Sequence, residues 1–569
     1  MIDRLTKSKY GWLAVLILLV LVNWLFSFIH YRADLTAEKR YTVSGATRSM
    51  LENLDSEADV TVLLGGDLPA GFRKLAGSTA DLLEEFRDIS GNKLSYRFEH
   101  PGTGLPDSLK GSLIDSLRSL GINATNVKAQ TKEGEGEEQQ LVYPGAVIRY
   151  KDRTIGVDFL QGQNFQAGLS SLNNAESLLE YKLAGSINKI RQDTVPLIGY
   201  LAGNGEPLDY SVYDLIEKTL RPNYAFRILP IDSVQAIPNF FKAILIVKPI
   251  LRFNDSQKIK IDQYVMHGGK LIWMIDNLYA SLDSLQRSQG EFIAFDMGLN
   301  LEDQLFKYGV RINQDLVQDL QCDKIPSVIG SVGDKPQIQL LPWPYFPLLR
   351  NNTGHPIAKN LDYVVSQFPQ SIDTVQVKNI KKTVLLSSSP ESRILSTPAK
   401  VEWASVRNEE DLKTFTNASV PVAVLLEGRF ESLFANRLTK AMADSLAAAG
   451  QPFLPGSKED NKMIVVADGD LVINSIDQNE GPLQMGTNMY TKQQYANREF
   501  LLNSLEYMVD QSGILETRGK DFTLRLLDKT KYEGSKSFWQ ILNIVLPALL
   551  VMFFIALYQF IRKNKYGRG

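Results

Sequence analysis

Two uncharged apolar segments, one toward each end, constrain this chain more than any other feature. Residues 11–29 read GWLAVLILLVLVNWLFSFI, and residues 538–561 read FWQILNIVLPALLVMFFIALYQFI. Each is about 20 residues, enough to cross a hydrocarbon core of roughly 30 Å as a helix. Trp12, Trp24, Tyr31, Trp539 and Tyr558 lie near the segment ends, where aromatic side chains favour the membrane interface. Pro547 is tolerable in such a span, because neighbouring helices or local adjustments satisfy the freed carbonyl. The first segment follows Arg4, Lys7 and Lys9, as a secretory signal would. Its apolar run is longer than a usual signal core. No small-x-small cleavage site follows in His30-Tyr31-Arg32-Ala33-Asp34. An uncleaved signal anchor is expected. Arg562, Lys563, Lys565 and Arg568 follow the second segment without an acid. The positive-inside rule then places both termini in the cytoplasm and the long middle across one membrane.

That reading divides the chain into four parts. Residues 1–31 are a transmembrane anchor, and 32–190 an N-terminal α/β extracytoplasmic domain. Residues 191–530 are a larger α/β domain, and 531–569 a transmembrane helix with a basic tail. The lipid bilayer is thus one expected partner. Nucleic acid is not: 62 Lys plus Arg against 64 Asp plus Glu give a net charge of −2, without a general basic footprint. The single cysteine, Cys322, excludes an intramolecular disulfide framework and a cysteine metal cluster. It sits beside Asp323, which disfavours a thiolate, so a structural thiol is expected. His30, His100, His267 and His355 form no local ligand pair. No metal or cofactor is expected.

Within the body, apolar periodicity marks the elements. A helix is expected over 39–54, a strand at 59–64, a helix over 78–89 and a strand at 93–98. Residues 128–140 read as a polar loop, and 147–157 as a hairpin turning at Lys151-Asp152. A second α/β region starts after Gln192. Strands at 195–201, 226–231, 242–247 and 270–275 alternate with helices through 213–220 and 254–267. Such alternation argues for a parallel sheet covered on both faces. Apolar runs at 383–386, 422–426 and 463–466 extend it.

A doubly wound sheet places ligands at the carboxyl ends of its strands. The weak candidates there are Gly203, Asn204, Gly205 and Glu206 after one strand, and Asp276, with Asn277 beside it, after another. The bland alternative makes Asn204 and Glu206 turn and capping residues, and Asp276 a cap. His267 reads as a helix C-terminal residue and His355 as a turn residue. Walker A, G-x-G-x-x-G and G-x-S-x-G patterns are absent. The order of elements is similar to the class-I glutamine-amidotransferase-like fold. In that fold a nucleophilic cysteine would follow the fourth strand. Here Met274-Ile275-Asp276-Asn277 stands in that place, so no catalytic residue is assigned and an enzyme is not expected.

Several stretches together resemble the gliding-motility-associated auxiliary, often called "substrate-binding", proteins of ABC transporters. They are YLAGNGE (200–206), QYVMHGGKLIWMID (263–276), PWPYFP (342–347) and Gly354-His355-Pro356-Ile357. LLEGRFESLFANR (425–437), MIVVADGDLVIN (463–474), REFLLNSLEYMVD (498–510) and RLLDKTK (525–531) complete the set. The resemblance runs nearly end to end. It implies an inner-membrane protein acting beside a multi-span permease and, indirectly, a cytoplasmic ATPase, in support of gliding motility and associated secretion. It carries over no catalytic residue. Asp-Ser-Leu at 107, 115, 283 and 444, with related tripeptides at 193, 232 and 373, resembles a periplasmic O-glycan acceptor.

The expected fold is therefore α/β. A small thioredoxin-like N-terminal unit precedes a doubly wound, amidotransferase-like or flavodoxin-like sheet, and two spans flank both. The expected role is a non-catalytic transporter subunit. Alternatives are a tethered ligand-binding module, a degenerate amidotransferase-like enzyme and a structural tether to envelope machinery.

Overall fold

The short apolar runs bounded by glycine and proline become strands, and the structure is mixed α/β. This computed structural model describes residues 17, 20, 21, 42–102, 106–130, 137–160, 169–288, 290–332, 335–351, 353–403, 409–510, 512–519 and 529–566. The first apolar segment, apart from Ile17, Val20 and Leu21, lies outside the described residues. So do the stalk residues 32–41 and 520–528 and Arg568 of the basic tail. The chain forms two units, residues 1–520 and 521–569.

In the first unit, helix α1 (Gly45–Glu52) starts at Ser44, whose side chain accepts from the Thr47 N–H. It is shorter than the expected 39–54. Strand β1 (Ala58–Val62), helix α2 (Ala70–Ile89) and strand β2 (Leu94–Phe98) follow, with β1 and β2 parallel. Helix α2 begins earlier than expected, because Phe72 and Leu75 continue the buried stripe of Leu83 and Phe86. Strands β3 (Gly145–Tyr150) and β4 (Arg153–Asp158) form the expected hairpin. Lys151 turns it at φ +52°. The sheet order is β2-β1-β3-β4. Helix α3 (Leu179–Arg191) buries Leu183, Ala184 and Ile187 in the same core as Val60, Phe86 and Ile148. The stretch 128–140, expected as a loop, is instead largely paired. Residues 125–130 run antiparallel to 137–142, and 131–136 lie outside the described residues. Backbone pairing makes such a ribbon without an apolar alternation to announce it.

The main sheet contains β5 (Leu197–Ala202), β6 (Ala225–Pro230), β7 (Ala243–Val247) and β8 (Lys270–Met274). A hairpin of β9 (Cys322–Val332) and β10 (Lys335–Leu349) lies outside it, and Trp343, Tyr345 and Phe346 of β10 enter a separate aromatic core. The sheet then resumes with β11 (Ile380–Ser387), β12 (Pro421–Gly428) and β13 (Asn461–Val466). The order is β11-β12-β13-β8-β7-β5-β6. Strands β13, β8, β7, β5 and β6 are parallel. Strand β12 runs antiparallel to both β13 and β11. The expected all-parallel sheet is therefore mixed at one edge. An apolar run records burial on both faces, whereas its direction is set by the connections, which hydropathy does not encode.

Alternate residues of one strand feed two cores. Leu245 and Val247 enter one, and Ile244 and Ile246 the other. Helix α4 (Asp255–Met266) covers the second face. It is closed at its start by a reciprocal Asn254–Gln257 capping box and at its end by His267, as expected. Helix α5 (Asn497–Val509) covers the first face through Phe500, Leu501 and Leu505. The helix expected through 213–220 is a π-helix over Asp214–Leu220 after a 3₁₀ turn at Tyr210–Val212. The Asn474 Oδ1 accepts the Asp214 N–H at 3.0 Å. This replaces the carbonyl partner of a regular helix at its first residue. The second unit contains helix α6 (Lys529–Tyr566), whose segment Phe538–Lys563 includes an 18-residue stretch with a mean hydropathy of 2.5 and no buried part.

Candidate functional site

Numbered in chain order, the parallel strands stand 2-1-3-4-5 in space, as β6-β5-β7-β8-β13. Their order reverses between β5 and β7, where open α/β sheets usually form a crevice beyond the carboxyl ends. Gly203 and Gly205 leave β5 at φ +144° and +79°. A Cβ on Gly203 would stand 2.7 Å from Ile231 Cγ2, and one on Gly205 2.5 Å from Ile250 Cγ1. The two glycines face outward, and Asn204 and Glu206 turn in, 1% and 7% exposed. Glu206 Oε2 accepts from the N–H groups of Gly203 (3.0 Å) and Asn204 (2.7 Å). The Asn204 carbonyl accepts from Ile250 and Leu251, at 2.9 and 2.8 Å. Its Nδ2 donates to the Arg252 carbonyl and to Gln257 Oε1. The loop after β5 is thus stitched to the loop after β7 across the switch point. Glu206 clasps its own loop. The following 3₁₀ turn is capped by Asp209 instead.

Burial, with Asp232 nearby, holds the Glu206 carboxyl above its ordinary range. Glu206→Ala removes the acceptor for two N–H groups and is expected to destabilise the chain by about 1–3 kcal/mol. Denaturant unfolding checks this, and a loss below about 0.5 kcal/mol would mean that water serves both N–H groups equally well.

Asp276 belongs to a different cluster. It follows β8 and meets Lys248, which follows β7, together with Asp468 and Asp470, which follow β13. Lys248 Nζ lies 3.5 Å from Asp276 Oδ2 and is ion-paired with Asp470. The Gly469 N–H donates to Asp276 Oδ1 at 2.7 Å. Asp468 Oδ2 accepts from Ser366 Oγ and, at 2.9 Å, from the Gln367 N–H. Its Oδ1 accepts from the Asp470 N–H at 2.7 Å. A Cβ on Gly469 would come within 2.8 Å of Lys248 Cβ, so a side chain there would displace the cluster. Lys248 itself adopts φ +46°.

Oxygens of the three carboxylates lie within 4.8 Å of one another. One ammonium faces three acids in a largely buried place. Burial first, then Asp470 against the pull of Lys248, raises Asp276 to about 6. Burial, then Asp276 and Asp470, holds Asp468 well above the usual carboxylate range. Burial disfavours the Lys248 charge, but Asp470 and Asp276 outweigh it and hold its ammonium above the ordinary lysine value. The cluster gathers three acids around one cation. Its oxygens are of the type that hard divalent ions take, and Lys248 stands where such an ion would supply charge.

Of the sequence candidates, the structure gathers Gly203, Asn204, Gly205 and Glu206 in one loop and puts Asp276 in the other cluster. Lys248, Asp468 and Asp470 escaped sequence reading. The Asp-Gly-Asp after an apolar strand was their signal, since it falls at the same sheet edge as Asp276. Cys322 is half-buried, and burial with Asp319 and Asp323 pushes its thiol up to about 12. His355 takes part in a turn, accepting at its carbonyl from Ala358 and Lys359. Burial pushes its imidazole down to about 4.

A family model described as an ABC-type uncharacterized transport system matches residues 196–504, more than half of the chain. A second, for a domain of unknown function, matches residues 37–149. No curated protein matches. Among solved structures, the "mmIFT52 N-terminal domain" is similar at 11% identity over 55% of this chain and 96% of that one, with a TM-score of 0.29. The exo-beta-1,4-mannosidase Op5Man5 from Opitutaceae bacterium strain TAV5 is similar at 8% identity over 77% of this chain and 50% of that one, with a TM-score of 0.21. At these scores neither likeness bears on fold or activity.

Proposed function

The chain belongs to the family described as an ABC-type uncharacterized transport system, and from that premise we propose that it is a non-catalytic, membrane-held subunit of such a transporter. A separate permease would be its direct partner, and a cytoplasmic ATPase would act through that permease. The process served would be gliding motility and the protein secretion associated with it. The family match is the observation that carries the transporter part of this reading, and the motility part rests on the resemblance of the sequence alone. The exposed apolar segment Phe538–Lys563 supports a membrane location. Residues 11–29 would supply a second span, with both termini in the cytoplasm and the bulk of the chain in the periplasm. Residues 32–190 would form a thioredoxin-like domain and 191–530 a flavodoxin-like or amidotransferase-like one, the latter supported by the 2-1-3-4-5 strand order. The absence of a nucleophile pattern in the sequence and a Cys322 thiol held protonated favour a non-catalytic role. O-glycan attachment at Asp-Ser-Leu tripeptides would fit a periplasmic body.

A mild-detergent pull-down of the full chain from its own membranes tests the reading. Permease and ATPase are expected with the native chain, and both are expected to be lost when residues 11–29 and 538–561 are replaced by unrelated apolar helices. If neither protein accompanies the native chain, the transporter reading fails.

A further inference from the structure

Opposite the carboxyl edge, the amino ends of β5, β6, β7 and β8 open into a cleft of about 1990 Å³, walled also by residues of α3 and α5. Ligand sites of single metabolites usually occupy roughly 300–1,000 Å³, so this space suits an extended molecule. The charges in the wall are matched in an unusual way. Lys189 Nζ donates to the amide oxygen of Asn223, not to a carboxylate. Arg518, 4% exposed, donates to Asn503 Oδ1 at 2.9 Å and to the Lys359 carbonyl at 3.2 Å. Its guanidinium stands 4.9 Å from the Tyr181 ring centre. The Nε of Arg518 is buried and lacks an acceptor among the described residues, whereas Arg498 is already ion-paired with Asp214. The half-buried Lys270 ammonium has no hydrogen-bond or ion-pair partner among the described residues.

The acids of the wall answer these cations only in part. Glu506 accepts from the Tyr181 hydroxyl, and one buried oxygen of Glu499 has no donor among the described residues. Burial holds both carboxyls above their ordinary range, which favours their neutral forms. Burial also holds Lys189 and Lys270 below the usual lysine value, and Lys462 and Lys242 add repulsion at Lys270. Cations that are poorly hydrated and fixed by neutral oxygens gain most from an incoming anion, because charge-assisted hydrogen bonds are the strong ones.

We propose that this cleft binds an extended anionic ligand, whose carboxylate or phosphate groups are received by Lys189, Lys270 and Arg518. The site is separate from the acidic cluster, which faces the other end of the same strands. It does not depend on the transporter reading.

Calorimetric titration of the full chain in detergent tests it, with triglutamate and inorganic pyrophosphate as probes. At least one probe is expected to bind. Triglutamate alone would identify a carboxylate ligand, and pyrophosphate alone a phosphate-bearing one. The double variant Lys189→Gln/Lys270→Gln is expected to weaken that binding about tenfold or more, the scale of lost charged hydrogen bonds. The charge-retaining Lys270→Arg is expected to bind like the native chain, as is Lys458→Gln, an exposed position outside the cleft. Binding of neither probe overturns the proposal. So does equal weakening by Lys458→Gln, which would mark a general charge effect.

Discussion

Replacing Lys248 by methionine is expected to destabilise the chain by about 3–5 kcal/mol, the range for removing one partner of a buried ion pair. The variant would leave Asp276, Asp468 and Asp470 facing one another with no cation. The Asp276 side chain accepts from the Gly469 N–H, and that of Asp468 from Ser366 and the Gln367 and Asp470 N–H groups, so these two cannot turn away without breaking those bonds. The loss is expected to depend on pH, with a definite sign. A carboxyl whose folded pKa exceeds its unfolded value contributes stability that is complete below the unfolded value and is lost as pH rises through the folded one. Asp276, raised to about 6, and Asp468, also raised, therefore erode stability as pH climbs above the ordinary aspartate range. The raised Lys248 contributes fully below the ordinary lysine value and loses that contribution only as pH rises through its higher folded value. Without its attraction, Asp276 demands a proton even more strongly. The Lys248→Met loss should thus be larger at pH 8 than at pH 5. Denaturant unfolding at the two pH values measures it. Asp468→Asn supplies the contrast, since it removes a repelled charge and keeps an acceptor for Gln367, at the loss of the acceptor for the Asp470 N–H. It should cost only about 1 kcal/mol and should flatten the pH dependence. A Lys248→Met loss that is equal at both pH values would mean that the three acids are solvated in the folded chain.

The second large effect is expected at Arg498→Met, about 3 kcal/mol by the same rule for a buried pair broken on one side. Arg498 on α5 is ion-paired with Asp214, the first residue of the π-helix, whose side chain is 4% exposed. Asp214 Oδ2 also accepts from the Met485 N–H at 3.0 Å, which ties a third segment to the pair. Losing the guanidinium leaves a charge that cannot reach water without releasing Met485. The double variant Asp214→Asn/Arg498→Met should recover most of the loss, because no unpaired charge then remains buried. A double-mutant cycle reads this coupling directly. If Asp214→Asn rescues nothing, Arg498 matters through packing on α5 alone.

These two clusters show which parts of the molecule were legible in one dimension. Runs such as Ala243–Val247 and Lys270–Met274 announced buried strands, because uninterrupted apolar residues satisfy a strand with a core on each face. The helix expected over 254–267 starts where Asn254 and Gln257 exchange hydrogen bonds, a capping box that the structure revealed. Gly203 and Gly205 announced a tight turn after β5. The turn's inward residues proved to clasp their own loop and its neighbour. Asp276 was correctly placed at a carboxyl edge. Its partners were not named, since Lys248 and Asp468 stand 28 residues before it and 192 after it in the chain.

The limit has a physical cause. Hydropathy, capping and turn chemistry depend on neighbours within a few residues, so the sequence alone determined the apolar strands of the main sheet and the place of α4, but not the ribbon at 125–142 or the β9–β10 hairpin. It also determined that residues 538–561 would form a long apolar helix. The antiparallel direction of β12, the π turn at Asp214 and the meeting of Lys248 with three acids depend on which segments cross in space. Such meetings are settled by the sum of long-range packing and charge compensation. Only the folded sheet, by laying β7, β8 and β13 side by side, decided them.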